Sequence, residues 1–428
     1  MSNPTNAPVP TETLSTVAVD LQDERLIASS GIGGAINTFF RRVRGGELGS
    51  LPVIVGLIVI GTVFELLNQS FLTPRNLAAL MQYAAPVGVI SLGVVLVLLL
   101  GEIDLSVGSV AGVSAAITAV TFVNFQWPWY LAVLAAMASG LLIGMLYGFL
   151  YNRFGVPSFV ITLAGLLAFL GLQLWILGTR GTINLPFESP IVQFAQQMFL
   201  PLWLAITVLV VATAAYALSL LLGARRRRAA GLSAISTGDV LLRSGALLVL
   251  VGALILYLYS DIGRAGRGVP AVFLFFVALV VVFNLLLTRT KWGRNVFAVG
   301  GNVEAARRAG INVRGTYLSV FMLCSLLAAT GGVLLASLQA AAGQSSGGGD
   351  TNLNAIAAAV IGGTSLFGGR GSAFSALLGI LVIWSISNGL DLLNLDSSIR
   401  YMITGAVLVI AVIVDSLSRR SRRNAGRG

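Results

Sequence analysis

Long apolar runs separated by short polar breaks fill the chain from residue 51 to residue 415. They fall at roughly 51–68, 76–100, 106–123, 128–150, 159–178, 201–222, 244–260, 270–288, 316–340, 353–367, 372–390 and 398–415. A helix needs about 20 apolar residues to cross a bilayer. Only helices or closed barrels satisfy the backbone's polar groups within lipid. The segment at 353–367 is short and runs into Gly362 and Gly363, which reads as a half-helix that enters and returns where protein surrounds it. The expected fold class is all-α: a polytopic membrane helix bundle of about 12 spans, one of them re-entrant.

Composition agrees with the pattern. The chain is 56% hydrophobic and 10% charged, with mean hydropathy +0.91, whereas a soluble domain carries about 25% charged residues. Residues 1–20 are rich in Pro, Thr, Asn and Ser and lack the apolar core of a signal peptide, so they read as a disordered tail. Residues 21–44 fit either a short amphipathic segment on the membrane surface or a polar lead-in. The expected organisation is therefore an N-terminal segment over 1–50, a membrane domain over 51–415 and a basic tail over 416–428.

The net charge of +11 changes meaning once the charges are placed. Alternating the spans from an inner N-terminus puts 22 of the 27 Lys and Arg on one side, including Arg41, Arg42, Arg44, the run Arg225–Arg228, the loop 289–314 and the tail from Arg419. The other side keeps Arg75, Arg180, Arg264, Arg267 and Arg400. That asymmetry is the positive-inside signature of a protein with both termini in the cytoplasm, and it removes nucleic acid as the partner the charge implies. Trp127, Trp129 and Tyr130 at an outer boundary read as an interfacial aromatic belt.

The inventory of reactive side chains is thin. There is one cysteine, Cys324, inside an apolar run, and no histidine. Disulfides, zinc sites and His-dependent nucleophilic catalysis are excluded on inventory alone, so neither catalytic residues nor a metal or other cofactor is expected. The only lysine, Lys291, follows no Gly-rich loop, and no phosphate cradle of the form GxxxxGK[ST] occurs.

Against this apolar background, FAVGGNVEAARRAGINV at 297–313 stands out. Asn302 fits an N-cap, Glu304 lies in the first turn, and Gly310 is placed to end the helix in a left-handed conformation. Glu304 and Arg308 are spaced as an i,i+4 pair, and Ala305, Ala306 and Ala309 offer a low-relief face on which another protein can approach. Three turns of such a helix are marginal alone in water. It is either a docking element or a connector between two spans.

The stretch resembles the coupling loop of permease subunits in ABC importers, where Glu-Ala-Ala followed by Gly marks the helix that docks on the ATPase. GEIDLSVGS at 101–109, VPSFVITLAGLLAF at 156–169, GRNVFAVGGNVEAARRAGINV at 293–313 and AIAAAVIGGTSLFGGRGS at 355–372 extend the likeness across 51–415, to sugar permeases of the ribose, galactose and xylose type. About 60 residues at 201–260, with two spans around ARRRRAAGL, resemble an insertion carried by xylose permeases. The resemblance implies a non-catalytic subunit of a bacterial inner-membrane importer of D-xylose, forming a homodimer. Its partners would be an ABC ATPase subunit, an extracytoplasmic sugar-binding protein, the monosaccharide and membrane lipid. It also implies a cytoplasmic coupling loop at 289–315, with Gly300, Gly301, Asn302, Glu304, Ala305, Ala306, Arg307, Arg308 and Gly310 meeting the ATPase.

The translocation path is less legible. Glu102 and Asp104 lie at the junction of the second and third spans, where acids are costly and functional by default. Alternatively Asp104 and Ser106 cap the third span, with Glu102 in headgroup water. Gly362, Gly363, Thr364, Ser365, Gly368, Gly369 and Ser372 make a Gly-rich break that fits close helix packing or an unwound cavity lining. Glu102, Asp104, Ser106, Thr364 and Ser365 are therefore the candidate path residues. The competing function is a proton-coupled secondary transporter using Glu102 and Asp104, which leaves the capped helix unexplained.

Overall fold

A computed structural model describes residues 51–232, 234–260 and 268–396, together with 398–399, 402–403, 405–406, 409 and 413. The expected N-terminal segment, the basic tail and most of the span at 398–415 lie outside the described residues, as do Arg264, Arg267 and Arg400.

Nine helices among the described residues are long and apolar enough to cross a membrane. In chain order the elements are α1 (Leu51–Leu67), α2 (Pro74–Leu99), α3 (Val107–Ala119, continued by a π turn at Val120–Asn124), α4 (Trp129–Phe154), α5 (Ser158–Leu177), β1 (Thr182–Asn184) and α6 (Pro190–Gln196). They continue with α7 (Leu202–Ala229), α8 (Thr237–Leu258), α9 (Ala271–Arg289), α10 (Lys291–Gly301), α11 (Val303–Arg308), α12 (Val313–Gln339), β2 (Ala341–Gly343), α13 (Gly349–Ile361) and α14 (Phe374–Leu392). The all-α expectation holds. Among the described residues a three-residue antiparallel pair, β1 with β2, departs from it, which apolar periodicity gave no reason to expect.

The described residues divide into two compact units, one of which contains Trp203–Leu254. Within it α7 and α8 approach one another at Gly252, where an added Cβ would lie 3.6 Å from Leu209 Cδ2. Arg225–Arg228 are exposed at the end of α7. The apolar run at 244–260 begins earlier than expected, at Thr237, because Ser236 and Asp239 form a reciprocal turn there (Asp239 N–H to Ser236 Oγ 3.1 Å; Ser236 Oγ to Asp239 Oδ2 2.9 Å).

The other unit is built around α2 and α12. From Ala84 to Leu99 every residue of α2 is buried, as expected of a helix apolar on all sides. α12 packs on α2, α3 and α4, while α9, α13 and α14 pack on α2. Small residues set the spacing. Gly140, Gly144 and Gly148, one turn apart on α4, meet α12 so closely that an added Cβ would lie 2.6 Å from Ser325 O, 2.4 Å from Phe321 O and 2.8 Å from Leu318 Cα. Close backbone approach is what holds helices together where lipid supplies no hydrophobic drive.

Two interruptions depart from this regularity. Between α2 and α3 the chain runs without helix from Gly101 to Ser106. α13 is only 13 residues long and starts from a loop, 344–348, in which Ser346 is buried. Gly347 there meets Gly108 O and Gly112 N of α3, while the buried Gln173 of α5 donates to Gly343 O and Ser346 O, both at 2.9 Å. α13 thus has the short length expected at 353–367, shifted toward the N-terminus.

Candidate functional site

The end of the unit that carries α10 and α11 gathers motifs scattered through the sequence. α10 starts at Thr290, whose Oγ1 accepts from Gly293 N–H at 3.1 Å. It is pinned to α12 by Trp292 Nε1, which donates to Ser319 Oγ at 2.9 Å. Gly293, Val296 and Val299 form its buried face. Gly300 lies against the last turn of α2, where a side chain would collide with Leu99 O at 1.8 Å. Gly369 N–H donates to the same Leu99 O at 2.9 Å, and Gly368 touches Gly300 O and Gly101. Residues from α2, α10 and the 362–373 loop therefore share one backbone junction. Gly368 and Gly369 lie in a non-helical loop with φ of +80° and +70°, conformations that favour glycine, and pack closely on Gly300 and Leu99.

α11 is defined at both ends. Asn302 Oδ1 accepts from Ala305 N–H at 2.9 Å, which makes Asn302 the N-cap. At the other end Ile311 N–H donates to Ala306 O at 3.1 Å and Gly310 N–H to Arg307 O at 3.0 Å. That pair of bonds is a Schellman motif, with Gly310 in its left-handed position at φ +78°. Glycine takes that conformation without the Cβ strain any other residue meets.

Three expectations for α11 need correction. The helix spans six residues, Val303–Arg308, because its two caps lie closer together than three turns require. Glu304 pairs with Arg307, not Arg308: Arg307 Nη1 lies 2.6 Å from Glu304 Oε1, and i,i+3 neighbours are as close on a helix surface as i,i+4 ones. Ala306 is buried against the unit's own core instead of facing outward. Glu304, Ala305, Arg307, Arg308 and Ala309 form the exposed face, with Gly301, Asn302 and Gly310 exposed at its ends.

The acidic stretch after α2 is organised by hydrogen bonds. α2 ends in a second Schellman motif, with Gly101 N–H donating to Leu98 O at 2.9 Å and Glu102 N–H to Val97 O at 3.2 Å. The extended residues beyond it would leave buried backbone groups unpaired. Side chains from α5 and α13 supply the partners: Ser158 Oγ accepts from Ile103 N–H (3.3 Å), Thr162 Oγ1 from Leu105 N–H (3.1 Å), and Asn352 Nδ2 donates to Leu105 O (2.7 Å).

Glu102 is half-buried and accepts from Tyr151 OH at 2.7 Å and Ser158 Oγ at 2.5 Å. Asp104 is 1% exposed. Its Oδ1 accepts from Ser106 N–H (2.8 Å) and Ser106 Oγ (2.7 Å), and its Oδ2 faces the Cys324 thiol at 3.7 Å. Ser106 precedes α3 without a side-chain capping bond, since its hydroxyl is given to Asp104 and accepts from Tyr147 OH at 2.7 Å. Asp104 instead fixes the turn that leads into α3, through the Ser106 N–H and hydroxyl.

Thr364 and Ser365 belong to the junction with Leu99 and Gly371, at the end of α13. They are not brought together with Glu102, Asp104 and Ser106 through any hydrogen bond described. Sequence reasoning missed Gln173, Asn352, Tyr147 and Tyr151, which hold the interruptions in place. The signal was polar side chains inside apolar runs.

Residues 76–412 match the family described as branched-chain amino acid transport system / permease component. The chain is 37% identical over 370 residues to the xylose transport system permease protein of Escherichia coli K12, covering 86% of this chain and 92% of that protein. It is 33% identical over 380 residues to the xylose transport system permease protein of Haemophilus influenzae, covering 87% and 98%. It is 29% identical over 371 residues to the ribose import permease protein of Bacillus subtilis 168, covering 86% and 94%. No solved structure matches the chain. With the matched region running from the first turn of α2 to beyond α14, this chain belongs to the branched-chain amino acid transport system / permease component family.

Proposed function

We propose that this chain is the membrane-spanning, non-catalytic subunit of an ATP-binding-cassette importer that carries a monosaccharide, D-xylose, across the bacterial inner membrane. The relatives it matches along nearly their whole length are xylose and ribose permeases, which favours a sugar and argues against the proton-coupled alternative. The observation that carries the reading is α11, a doubly capped helix exposing Glu304, Ala305 and Arg307 on a chain without a phosphate cradle.

In this reading both termini are cytoplasmic, α13 is the re-entrant member of about 12 spans, and α7 and α8 are the inserted pair at 201–260. The 289–315 loop docks on a separate ATPase through the exposed face of α11. A sugar-binding protein delivers substrate to the opposite side. Two copies form the pore, and exposed Leu163, Leu167 and Trp175 of α5 meet lipid.

Reconstitution with the ATPase and binding protein in sealed vesicles tests the proposal. Xylose accumulation is expected with ATP on the ATPase side and no proton gradient. Accumulation driven by a proton gradient without ATP would contradict it.

A further inference from the structure

At the end of α12 opposite to α10 and α11, an open cavity of about 650 Å³ is lined by Gln82, Tyr83, Gln196, Gln197, Phe199 and Leu338. Gln82 is eight residues into α2 from Pro74, which at 1.5 Å per residue is about 12 Å along that helix. A glutamine at that depth is costly unless it is bonded. Its Nε2 donates to Ala195 O (2.6 Å) and Gln196 O (2.9 Å), so it holds the end of α6. Gln196 Nε2 in turn donates to Leu338 O (2.9 Å), which ties α6 to α12. α2, α6 and α12 thus form fixed walls.

With both amide nitrogens committed to protein carbonyls, the Oε1 atoms of Gln82 and Gln196 have no partner among the described residues. The Gln197 side chain and the Tyr83 hydroxyl make no hydrogen bond among the described residues either. The Tyr83 ring is half-exposed and stacks on Trp384 at 6.1 Å, and the Trp384 Nε1–H is a buried donor without a partner. Such a donor calls for an unplaced acceptor. Trp384 is not itself a lining residue; the lining offers the surplus glutamine acceptors, the Gln197 amide and Tyr83 hydroxyl as donors, and the Tyr83 and Phe199 rings, with no charged side chain.

We infer that this cavity is a binding station for the monosaccharide on the extracytoplasmic side, and this rests on the importer reading above. Sugar hydroxyls donate to glutamine oxygens, and the C–H face of a sugar ring meets the electron-rich face of Tyr83. Its volume falls within the roughly 300–1,000 Å³ of small-molecule sites. A zwitterionic amino acid needs ionic partners that this lining lacks, so the uncharged polyol is the ligand class that fits.

The test uses Gln197→Cys in the complete permease–ATPase complex; the native Cys324 is fully buried and silent. A membrane-impermeant maleimide should label Cys at 197, and D-xylose at several times its dissociation constant should slow labelling about fivefold, since occupancy divides the free fraction by 1 + [L]/Kd. Equal L-leucine should leave the rate unchanged. Adding Tyr83→Ala should weaken protection by about tenfold in sugar concentration. No labelling, no protection in a variant that still imports xylose, or protection by leucine instead would each overturn the station and leave the importer standing. A native complex that imports no sugar would overturn both.

Discussion

Asp104 shows how one residue's chemistry is settled by its neighbours. A carboxyl group 1% exposed survives only if its oxygens are bonded, and both of them are, to Ser106 and toward Cys324. Its geometry is that of a fastener for the non-helical turn before α3. Asp104→Asn keeps an oxygen that can accept from the Ser106 N–H and should unfold near the native temperature. Asp104→Ala leaves that N–H orphaned and should cost about 1–3 kcal/mol, read as a lower Tm of the detergent-solubilised protein. Equal Tm values for the two variants would contradict this role. The sequence placed the acid at the interruption but offered two uses for it, because only the fold reveals which side chains reach it. Asn352, 247 residues away from the Leu105 carbonyl it holds, carried no signal at all beyond being polar in an alanine-rich run.

Helices are where the sequence was most legible. Apolar periodicity located every long span among the described residues, and Asn302 and Gly310 announced the ends of α11 through local capping chemistry alone. What local chemistry left open was which face of α11 turns inward. Ala306 is buried and Ala305 exposed, a choice made by packing on the core. Gly310→Val should strain the left-handed terminus by about 1–2 kcal/mol and lower ATPase co-purification without preventing membrane insertion. Normal co-purification would reduce α11 to a connector. The α4 ridge makes a separate demand: Gly144→Leu, placing atoms where Phe321 O already lies, should destabilise the protein by about 1–3 kcal/mol through overpacking. An unchanged Tm would show that α4 and α12 are not locked together.

Over the whole molecule, charge rather than packing gives the orientation, since the positive-inside asymmetry is a property of all the loops together. On the proposed topology Arg225–Arg228, exposed at the end of α7, lie in the cytoplasm together with the α7–α8 connection. A reporter that matures only in the cytoplasm, fused after Leu232, should therefore be active; an inactive reporter would reverse the topology. The convergence of α2, α10 and the 362–373 loop on Leu99 O was invisible in the sequence, where these segments lie as far as 270 residues apart. It gives the exposed face of α11 a rigid connection to the core helix α2. On the proposed function this face receives the ATPase. Ala305→Arg adds bulk there, away from the core, and as a surface change should alter stability by no more than about 0.5 kcal/mol. Sugar-stimulated ATP hydrolysis by the reconstituted complex measures the consequence directly. Loss of stimulation with a normally folded permease is the predicted result, and stimulation at the native level would contradict the account.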